Sequence, residues 1–527
     1  MSRFMPRGFG SFQGKTDRFA VAIVLAAVVM SFPVWCASAP AMPDYPAHLA
    51  SYYLIATGAS PPAVSNFYAI EWAFLPNLAG EIIVPPLSDL VGLEIAGKLF
   101  VTAGIVMWVL GPALIHRALF GKVGVAPLFA AFFAYNANLT WGFLNYYFAI
   151  GTAFAVFAAW IATEQRRGAV HLLGFAAAFT AIYFFHLFAA ATLLLLVGTC
   201  ELGIAVQSMS ARDAFRRFAR LAAVVAPAAL AYIFLKPSGG ETAVAFDLFD
   251  RMIDRLEAAL QLSYDNPSLV LMAMLMILLV VALWRGWIAL HLRMIVPLAV
   301  LGLAALFAPE WAMGGWGVDL RLPAVLGGLL FASCDFRLER RKIAVLAVAC
   351  GVLIVSNAVI LAKDWRATGL QYDEFRSAAR ALPPGTRLLT VLDGDAIGYR
   401  SDQPYWHMAE FAIIDPGAFT PLLFTTKDQH IVRIKPAYQS IAAASAEQGS
   451  PPDIDELNDL AAGQIDEDED IANVFPYLMR FQCHYDMAVV IHLDGPRSTI
   501  PPMLRLRHAG SFFSIYDILP DEACAPT

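Results

Sequence analysis

An acidic and an imidazole side chain follow the first apolar run, in the stretch "APAMPDYPAHLASYY" (residues 39–53). Pro43 and Pro46 bracket Asp44 and restrict the backbone beside it, so its carboxylate is held in place. His48 shares a face with Asp44 if a helix begins near Pro46. A fixed carboxylate at the lipid surface suits a general base acting on a hydroxyl group, with His48 orienting it or hydrogen-bonding a phosphate. Two ligand types without a third nearby do not indicate a metal site, so we predict no metal ion and no cofactor.

These assignments have structural alternatives. Asp44 could be the N-cap of the following helix, because Asp is a favoured capping residue. His48 could be an ordinary interfacial residue. Both alternatives stay open at the level of the sequence.

Further polar residues lie at the ends of apolar segments, and we predict that they bind substrate or its phosphate: Arg321, Lys236, Asp319, His186 and Asn145. Arg321 and Lys236 are the candidate phosphate ligands, since Arg contacts two phosphate oxygens at once and Lys supplies a point charge. The alternative for Arg321 is an ion pair with Asp319 or Glu310.

The composition indicates a polytopic membrane protein. Hydrophobic residues make up 59% of the 527 residues and charged residues only 15%, whereas soluble domains carry about 25% charge. The net charge is -7, and residues 1–362 hold 23 of the 36 Lys and Arg. A membrane body with an acidic C-terminal part follows from this distribution, and a nucleic-acid partner is excluded.

A helix of about 20 residues crosses the hydrocarbon core of a bilayer. On that basis we predict eleven membrane spans and read the first as a retained helix. The spans fall near residues 19–39, 98–116, 124–140, 143–163, 168–186, 187–206, 221–236, 268–284, 294–309, 322–335 and 343–362.

The Lys and Arg residues between these spans set the orientation, because they favour cytoplasmic loops. With the N-terminus inside, the inner segments hold 18 of them and the outer loops only 5. We therefore predict an N-in, C-out protein of a bacterial-type cytoplasmic membrane. Asp44 and the other polar residues named above then lie at the outer face.

The domain organisation follows from the same pattern. Residues 1–363 form the transmembrane domain, whose outer loop 40–97 is predicted to hold two short helices along the membrane surface. Residues 237–266 are predicted to contain an amphipathic interfacial helix, with apolar residues at helical spacing. Residues 364–527 are predicted to form a soluble α/β domain outside the membrane.

Two cysteines, Cys483 and Cys524, fall in this outer domain. An oxidising compartment would allow them to pair, so we predict a disulfide between them. The remaining four cysteines lie in or beside apolar spans, where a lone Cys is usually a small core residue.

The arrangement resembles the GT-C superfamily of integral-membrane glycosyltransferases. The resemblance lies in the acid of "PDYPAHLA" after the first span, the long first outer loop, the many spans and the outer C-terminal domain. It implies a polyprenyl-phosphate-linked sugar donor, a lipid, glycan or protein acceptor, and transfer with inversion and no soluble cofactor. By position in the pattern, Asp44 would be the base and Arg321 the cation that holds the donor phosphate. The loop has a single acid at this position where many members have a pair, and no Trp-Trp-Asp motif is present.

Two other functions fit parts of the pattern. A transporter of a lipid or solute would place its site near the midplane on broken helices, whereas the predicted spans carry little charge at that depth. A non-catalytic assembly or binding partner of a cell-envelope polysaccharide system would display the outer domain without needing an active Asp44.

The predicted topology is testable with reporter fusions. A fusion at Thr527 should report a location outside the cytoplasmic membrane, and one at Arg166–Arg167 a cytoplasmic location, because of the bias in Lys and Arg. A cytoplasmic C-terminus would contradict the topology and the predicted function together.

Overall fold

The computed structural model describes the chain from Arg18 to Cys524, apart from residues 165–167, 236–243, 245–250, 262–267, 314, 394–402, 428, 444–449, 463–474, 493–497 and 522–523. The membrane body and the outer loops contain, in chain order, helices α1 (Arg18–Cys36), α2 (Tyr45–Ala56), α3 (Pro62–Ser65), α4 (Ala79–Val91), α5 (Leu93–Phe120), α6 (Ala126–Ala130), α7 (Ala137–Thr140), α8 (Leu144–Ala162), α9 (Ala169–Phe185), α10 (Leu187–Ser208), α11 (Ala211–Leu235), α12 (Met252–Ala259), α13 (Ser268–Trp284), α14 (Ile295–Phe307), α15 (Val318–Ala332) and α16 (Arg340–Ala379). Short strands β1 (Tyr68–Ile70), β2 (Ile288–Leu290) and β3 (Cys334–Phe336) lie among them.

The protein is mostly helical and carries several candidate membrane spans. Within the described residues, six helices are long and apolar enough to cross a membrane: α1, α5, α8, α10, α11 and α16. Helices α9, α13 and α14 are shorter apolar helices, and α15 matches the predicted span 322–335. The number of helices that cross the bilayer, and their orientation, stay predictions.

The predicted span 124–140 is wrong as a continuous helix. The chain there forms α6, a 3₁₀ segment (Ala131–Ala134), two extended residues and then α7. The Asn136 side chain occupies the break, accepting from the Asn138 N–H at 2.9 Å and donating to the Phe133 carbonyl at 2.6 Å. All residues from 125 to 142 are buried. Irregular backbone at membrane depth is tolerated when protein surrounds it, and hydropathy alone cannot detect that condition.

The predicted border at residue 363 falls inside α16, which is one helix of 40 residues. At about 1.5 Å per residue, such a helix is roughly 60 Å long, about twice the thickness of the hydrocarbon core. Its second half leaves the apolar body and buries Trp365, Tyr372 and Phe375. One helix therefore belongs to both parts of the protein.

The C-terminal region contains helices α17 (Phe411–Ile414), α18 (Ile454–Ala462) and α19 (Phe481–His484), and strands β4 (Leu388–Leu392), β5 (Val432–Ile434), β6 (Met487–Ile491), β7 (Leu504–Ala509) and β8 (Phe513–Ile518). Its sheet has the order β4-β6-β8-β7, with β4 and β6 parallel and the other neighbours antiparallel. A disulfide joins Cys483 to Cys524, as predicted.

The outer loop is built into the C-terminal region. Strand β1 pairs antiparallel with β5, in the register Tyr68↔Ile434 and Ile70↔Val432. The burial of α2, which precedes the two helices expected along the membrane surface, was not predicted from the sequence. Nine of its twelve residues are buried, because it is covered by the membrane body on one side and by the C-terminal region on the other.

Two hydrophobic cores meet on α2. Tyr45, Leu49 and Tyr52 belong to the cluster that joins the membrane body to one face of the C-terminal sheet, whereas Ala47 and Leu54 belong to the cluster on the other face of that sheet. A fully buried large apolar side chain contributes roughly 1.5–3 kcal/mol. Pro46 in the first turn presets the backbone for a helix, and burial on both sides then holds α2 in place.

Within the described residues, the predicted interfacial helix of residues 237–266 is present as α12. Phe246 and Phe249, which were expected on its apolar face, lie outside the described residues. Ile253 and Leu256 are exposed, while the opposite face of α12 docks on α15 through Arg255, whose guanidinium lies 3.3 Å from the Asp319 carboxylate.

At the end of α8 remote from residue 142, charged residues neutralise one another. Arg217 contacts Glu164 at 2.9 Å, and Glu201 and Asp213 at 2.8 Å. Glu201 is fully buried and also accepts from the Trp160 indole at 2.7 Å. This network ties together α8, α10 and α11.

Candidate active site

Asp44 occupies the N-cap position of α2 but does not cap it. Its backbone is already helical, with φ −80° and ψ −13°, and its side chain makes no capping hydrogen bond. The half-buried carboxylate forms no hydrogen bond or ion pair with the described residues. The capping alternative therefore does not explain why an acid stands here.

The backbone around Asp44 is held by the turn between α7 and α8. The Asp44 N–H donates to the Trp141 carbonyl at 3.2 Å, and the Asp44 carbonyl accepts from the His48 N–H at 2.9 Å. Gly142 lies against Asp44 with a φ of +93°, and a Cβ at residue 142 would be 2.9 Å from the Cβ of Asp44. Only glycine allows this conformation and this close approach together.

The pKa of Asp44 is suited to proton transfer near neutral pH. Burial raises it to about 6, while the opposing charges of His407 and Arg321 limit the rise. A carboxylate with such a pKa is ionised at pH 7 and is a stronger base than an exposed Asp.

Arg321, near the start of α15, is a buried guanidinium surrounded by aromatic rings. Its central carbon lies 5.0 Å from the ring of Phe143, 5.4 Å from Tyr146 and 5.2 Å from Phe188. It donates to the Trp316 carbonyl at 3.1 Å, and its Nε has no hydrogen-bond partner among the described residues. No carboxylate among the described residues forms an ion pair with the Arg321 guanidinium.

The alternative in which Arg321 pairs with Asp319 or Glu310 is wrong. Arg251 contacts Asp319 and Glu310, each at 2.8 Å, and Arg255 also contacts Asp319. Asp319 is fully buried beneath these two cations. The predicted substrate ligand Asp319 is thus neutralised by α12, which leaves the charge of Arg321 available.

Asn145 and His186 contact residues that surround Asp44 and Arg321. The Asn145 side chain accepts from the Gly80 N–H at 2.7 Å and donates to Glu81 at 2.9 Å, so it pins α4 to α8. Burial raises the pKa of Glu81 to about 7, and the Asn145 hydrogen bond opposes that rise. The His186 Nε2 lies 3.4 Å from an Arg321 nitrogen.

His48 lies on α2 in a neutral form. Burial, and then the nearby His430 and His407, lower its pKa to about 3. Its ring packs against Phe424 at 5.4 Å. A neutral ring can orient neighbours but supplies no positive charge for a phosphate. The other predicted phosphate ligand, Lys236, lies outside the described residues.

The sequence analysis missed the contribution of the C-terminal region. Trp406 packs on Trp141 with ring centroids 5.8 Å apart, and Trp141 packs on Trp316 at 4.8 Å. These three indoles come from distant parts of the chain and join the neighbourhoods of Asp44 and Arg321. His407, next to Trp406, is buried. In the sequence, the stretch "QPYWHMAEF", with its aromatic, imidazole and acidic side chains, was the only indication that the C-terminal region contributes to the site.

Comparisons with known proteins give similarities to solved structures alone. No family model matches the chain, and no curated protein matches it. The chain is similar to the cryo-EM structure of arabinofuranosyltransferase AftD from mycobacteria, at 16% identity and a TM-score of 0.46, over 97% of this chain. A mutant form of AftD gives a TM-score of 0.45 at the same identity. The chain spans only 40% of the AftD chain.

The contact between Gly142 and Asp44 predicts a selective effect of Gly142→Ala. A left-handed backbone costs a residue with a Cβ about 1–2 kcal/mol, and the new methyl group would also displace Asp44. Gly121 has a φ of +70°, and a Cβ there would meet no atom within 4 Å. It provides the control, since Gly121→Ala adds backbone strain alone.

Both variants should lower the unfolding temperature, Gly142→Ala at least as much as Gly121→Ala because of its added contact with Asp44, and only Gly142→Ala should lose the predicted sugar transfer. Equal activity of the two variants would contradict the role of the Gly142 contact in placing Asp44.

Proposed function

We propose that this protein is a membrane glycosyltransferase that moves a sugar from a polyprenyl-phosphate donor to an acceptor hydroxyl at the outer face of the cytoplasmic membrane. One observation supports it above all: within the described residues, the Asp44 carboxylate has no partner and the Arg321 guanidinium has no carboxylate partner, and the two lie on either side of the turn at Gly142 and Phe143. They are close enough for their charges to interact.

A buried guanidinium without an anion is costly, so its place in a fold calls for a ligand. The rings of Phe143, Tyr146 and Phe188 stabilise the cation by cation–π contact without neutralising it. A phosphate is the anion that a guanidinium binds with two parallel hydrogen bonds. The isoprenoid chain of a lipid-linked donor would extend from there along the apolar helices.

The reaction then follows from the two charges. The acceptor hydroxyl attacks the anomeric carbon of the donor, and its proton passes to the Asp44 carboxylate. The bond from the anomeric carbon to the phosphate oxygen breaks, and the phosphate leaves with the electron pair and is stabilised by Arg321. A single displacement of this kind inverts the configuration of the sugar.

Two features support an outer location of the site. The Lys and Arg bias places the turn between α7 and α8 outside, and the Cys483–Cys524 disulfide belongs in an oxidising compartment. The buried charges at the opposite end of α8, among them Glu201 and Arg217, are paired. We therefore expect the charged ligand to bind at Asp44 and Arg321, at the outer end of the helices.

The proposal is tested with the full chain in lipid nanodiscs and a panel of polyprenyl-phosphate sugars. Release of polyprenyl phosphate together with a glycosylated acceptor supports it. Binding of donors without any turnover across the panel would favour the non-catalytic assembly partner, and movement of the intact donor between leaflets would favour a transporter.

Asp44→Asn should abolish nearly all transfer. The amide keeps the shape of the side chain but cannot take the acceptor's proton, and loss of a general base typically costs 10²- to 10⁴-fold. Asp89→Asn is the matched control, because Asp89 is an exposed acid of the same outer loop. His48→Ala should reduce activity less. Turnover at the wild-type rate by Asp44→Asn would remove the catalytic assignment.

Arg321→Lys should impair use of the donor more than use of the acceptor. The charge survives the substitution, but the two-pronged contact with phosphate does not. The measurement is KM for the donor and for the acceptor, each at saturating co-substrate. An unchanged donor KM in both Arg321→Lys and Arg321→Gln would contradict the phosphate role.

A further inference from the structure

Three imidazole rings surround Phe424 where α2 meets the C-terminal region. The ring centroid of Phe424 lies 4.8 Å from that of His407, 5.4 Å from His48 and 5.5 Å from His430. His48 comes from the outer loop, one helical turn after Asp44, and the other two come from the C-terminal region. The first turn of α2 and the segment around His407 therefore share one small cluster.

A second set of contacts brings His407 towards Asp44. The Asp44 N–H is bonded to the Trp141 carbonyl, and the Trp141 indole packs on Trp406, the residue before His407. His407 is only 3% exposed, so little water screens it from the carboxylate. The charge of His407 is among those that oppose the effect of burial on Asp44.

The other neighbour of His407 is a buried acid. Nδ1 of His407 lies 3.6 Å from Oε1 of Glu410, an ion-pair distance when the ring is protonated. Glu410 is fully buried, and neither of its carboxylate oxygens has a hydrogen-bond partner among the described residues. A buried carboxylate is stabilised by a nearby cation, and among the described residues His407 lies at ion-pair distance from Glu410.

We propose that His407, held by Glu410, is a positioning residue for Asp44: the C-terminal region places an imidazolium between two carboxylates and thereby keeps Asp44 ionised and oriented towards the acceptor. This inference rests on the proposed function, since it gives Asp44 its task. It also gives the C-terminal region a part in the reaction, because docking of that region on α2 completes the site.

The protonation of His407 agrees with this geometry. Burial by itself lowers the pKa of His407, but the carboxylates of Glu410 and Asp44 outweigh that effect, and the net shift is upward. A raised histidine pKa favours the charged ring in the folded state. Its contribution to stability is full below the unfolded pKa and is lost as the pH rises through the folded pKa.

The titratable and charged groups around the Asp44–His407–Glu410 set come from every element packed against it. They are Arg321 near Asp44, His48 and His430 across Phe424, Arg433 near His430, and Tyr68 and Tyr477 near Glu410.

The pH dependence of transfer tests the inference. The wild-type rate should fall below about pH 6 as Asp44 becomes protonated. His407→Gln removes a cation that favours the ionised form of Asp44. The acid limb of the pH–rate profile, where the rate falls as Asp44 is protonated, should therefore move up by roughly one pH unit. That shift is the lower end of the effect of a nearby opposite charge. Glu410→Gln should move the limb in the same direction, because the ring then loses its proton more easily.

His430→Gln is the matched control. His430 contacts the same ring of Phe424 but is not among the charges that act on Asp44, so its acid limb should coincide with that of the wild type. A lower rate in His407→Gln with an unshifted acid limb would mean that His407 only packs, and would overturn the inference.

A measurement without turnover separates this inference from the proposed function. In the full chain with ¹³C-labelled histidine, the His407 signal should titrate at lower pH in Asp44→Asn and in Glu410→Gln than in the wild type. If His407→Gln does not fold, the one signal that moves in both of these variants identifies His407.

Identical titration of every histidine in Asp44→Asn and wild type would overturn the inference, whatever the activity. Absence of transfer with all donors, together with the shifted signal, would instead remove the proposed function and leave the coupling of His407 to Asp44 standing.

Discussion

The burial of α2 on both sides is the constraint on which the rest of the site depends. The helix is twelve residues long and lies between two hydrophobic clusters, one that joins the membrane body to one face of the C-terminal sheet and one on the other face of that sheet. Because both cores close on it, its first turn cannot move without disturbing one of them. Asp44 stands at that first turn, and the strand pair β1–β5 fastens the same loop a second time.

The charged residues at the two ends of the helices differ in whether they are paired. Arg217, Glu164 and Glu201 neutralise one another at one end of the helices, and such a network holds helix ends together. At the other end, Asp319 is neutralised by Arg251 and Arg255. Among the described residues, that pairing removes the natural partner of Arg321, whose guanidinium keeps its charge for the phosphate ligand that we propose.

Part of this arrangement was predictable from the sequence. The apolar runs predicted most of the long helices. The expected oxidising compartment of the C-terminal region predicted the Cys483–Cys524 disulfide. The buried, broken segment of α6 and α7 was missed, because its hydropathy is that of a span while its Asn136 amide permits the break. The burial of α2 was not predicted, because the apolar residues of a short helix do not show which distant parts of the chain cover them.

The sequence by itself determined the membrane class, the Lys and Arg bias, and the presence of an acid bracketed by prolines, since each is a property of a short run of residues. Only the tertiary structure decided that Arg321 does not pair with Asp319, that Gly142 lies against Asp44, and that His407 packs near the start of α2. Residues 44 and 407 are brought together by the packing of two cores on one helix. No local pattern of hydropathy or charge records such a contact, because its energy comes from surfaces that are distant along the chain.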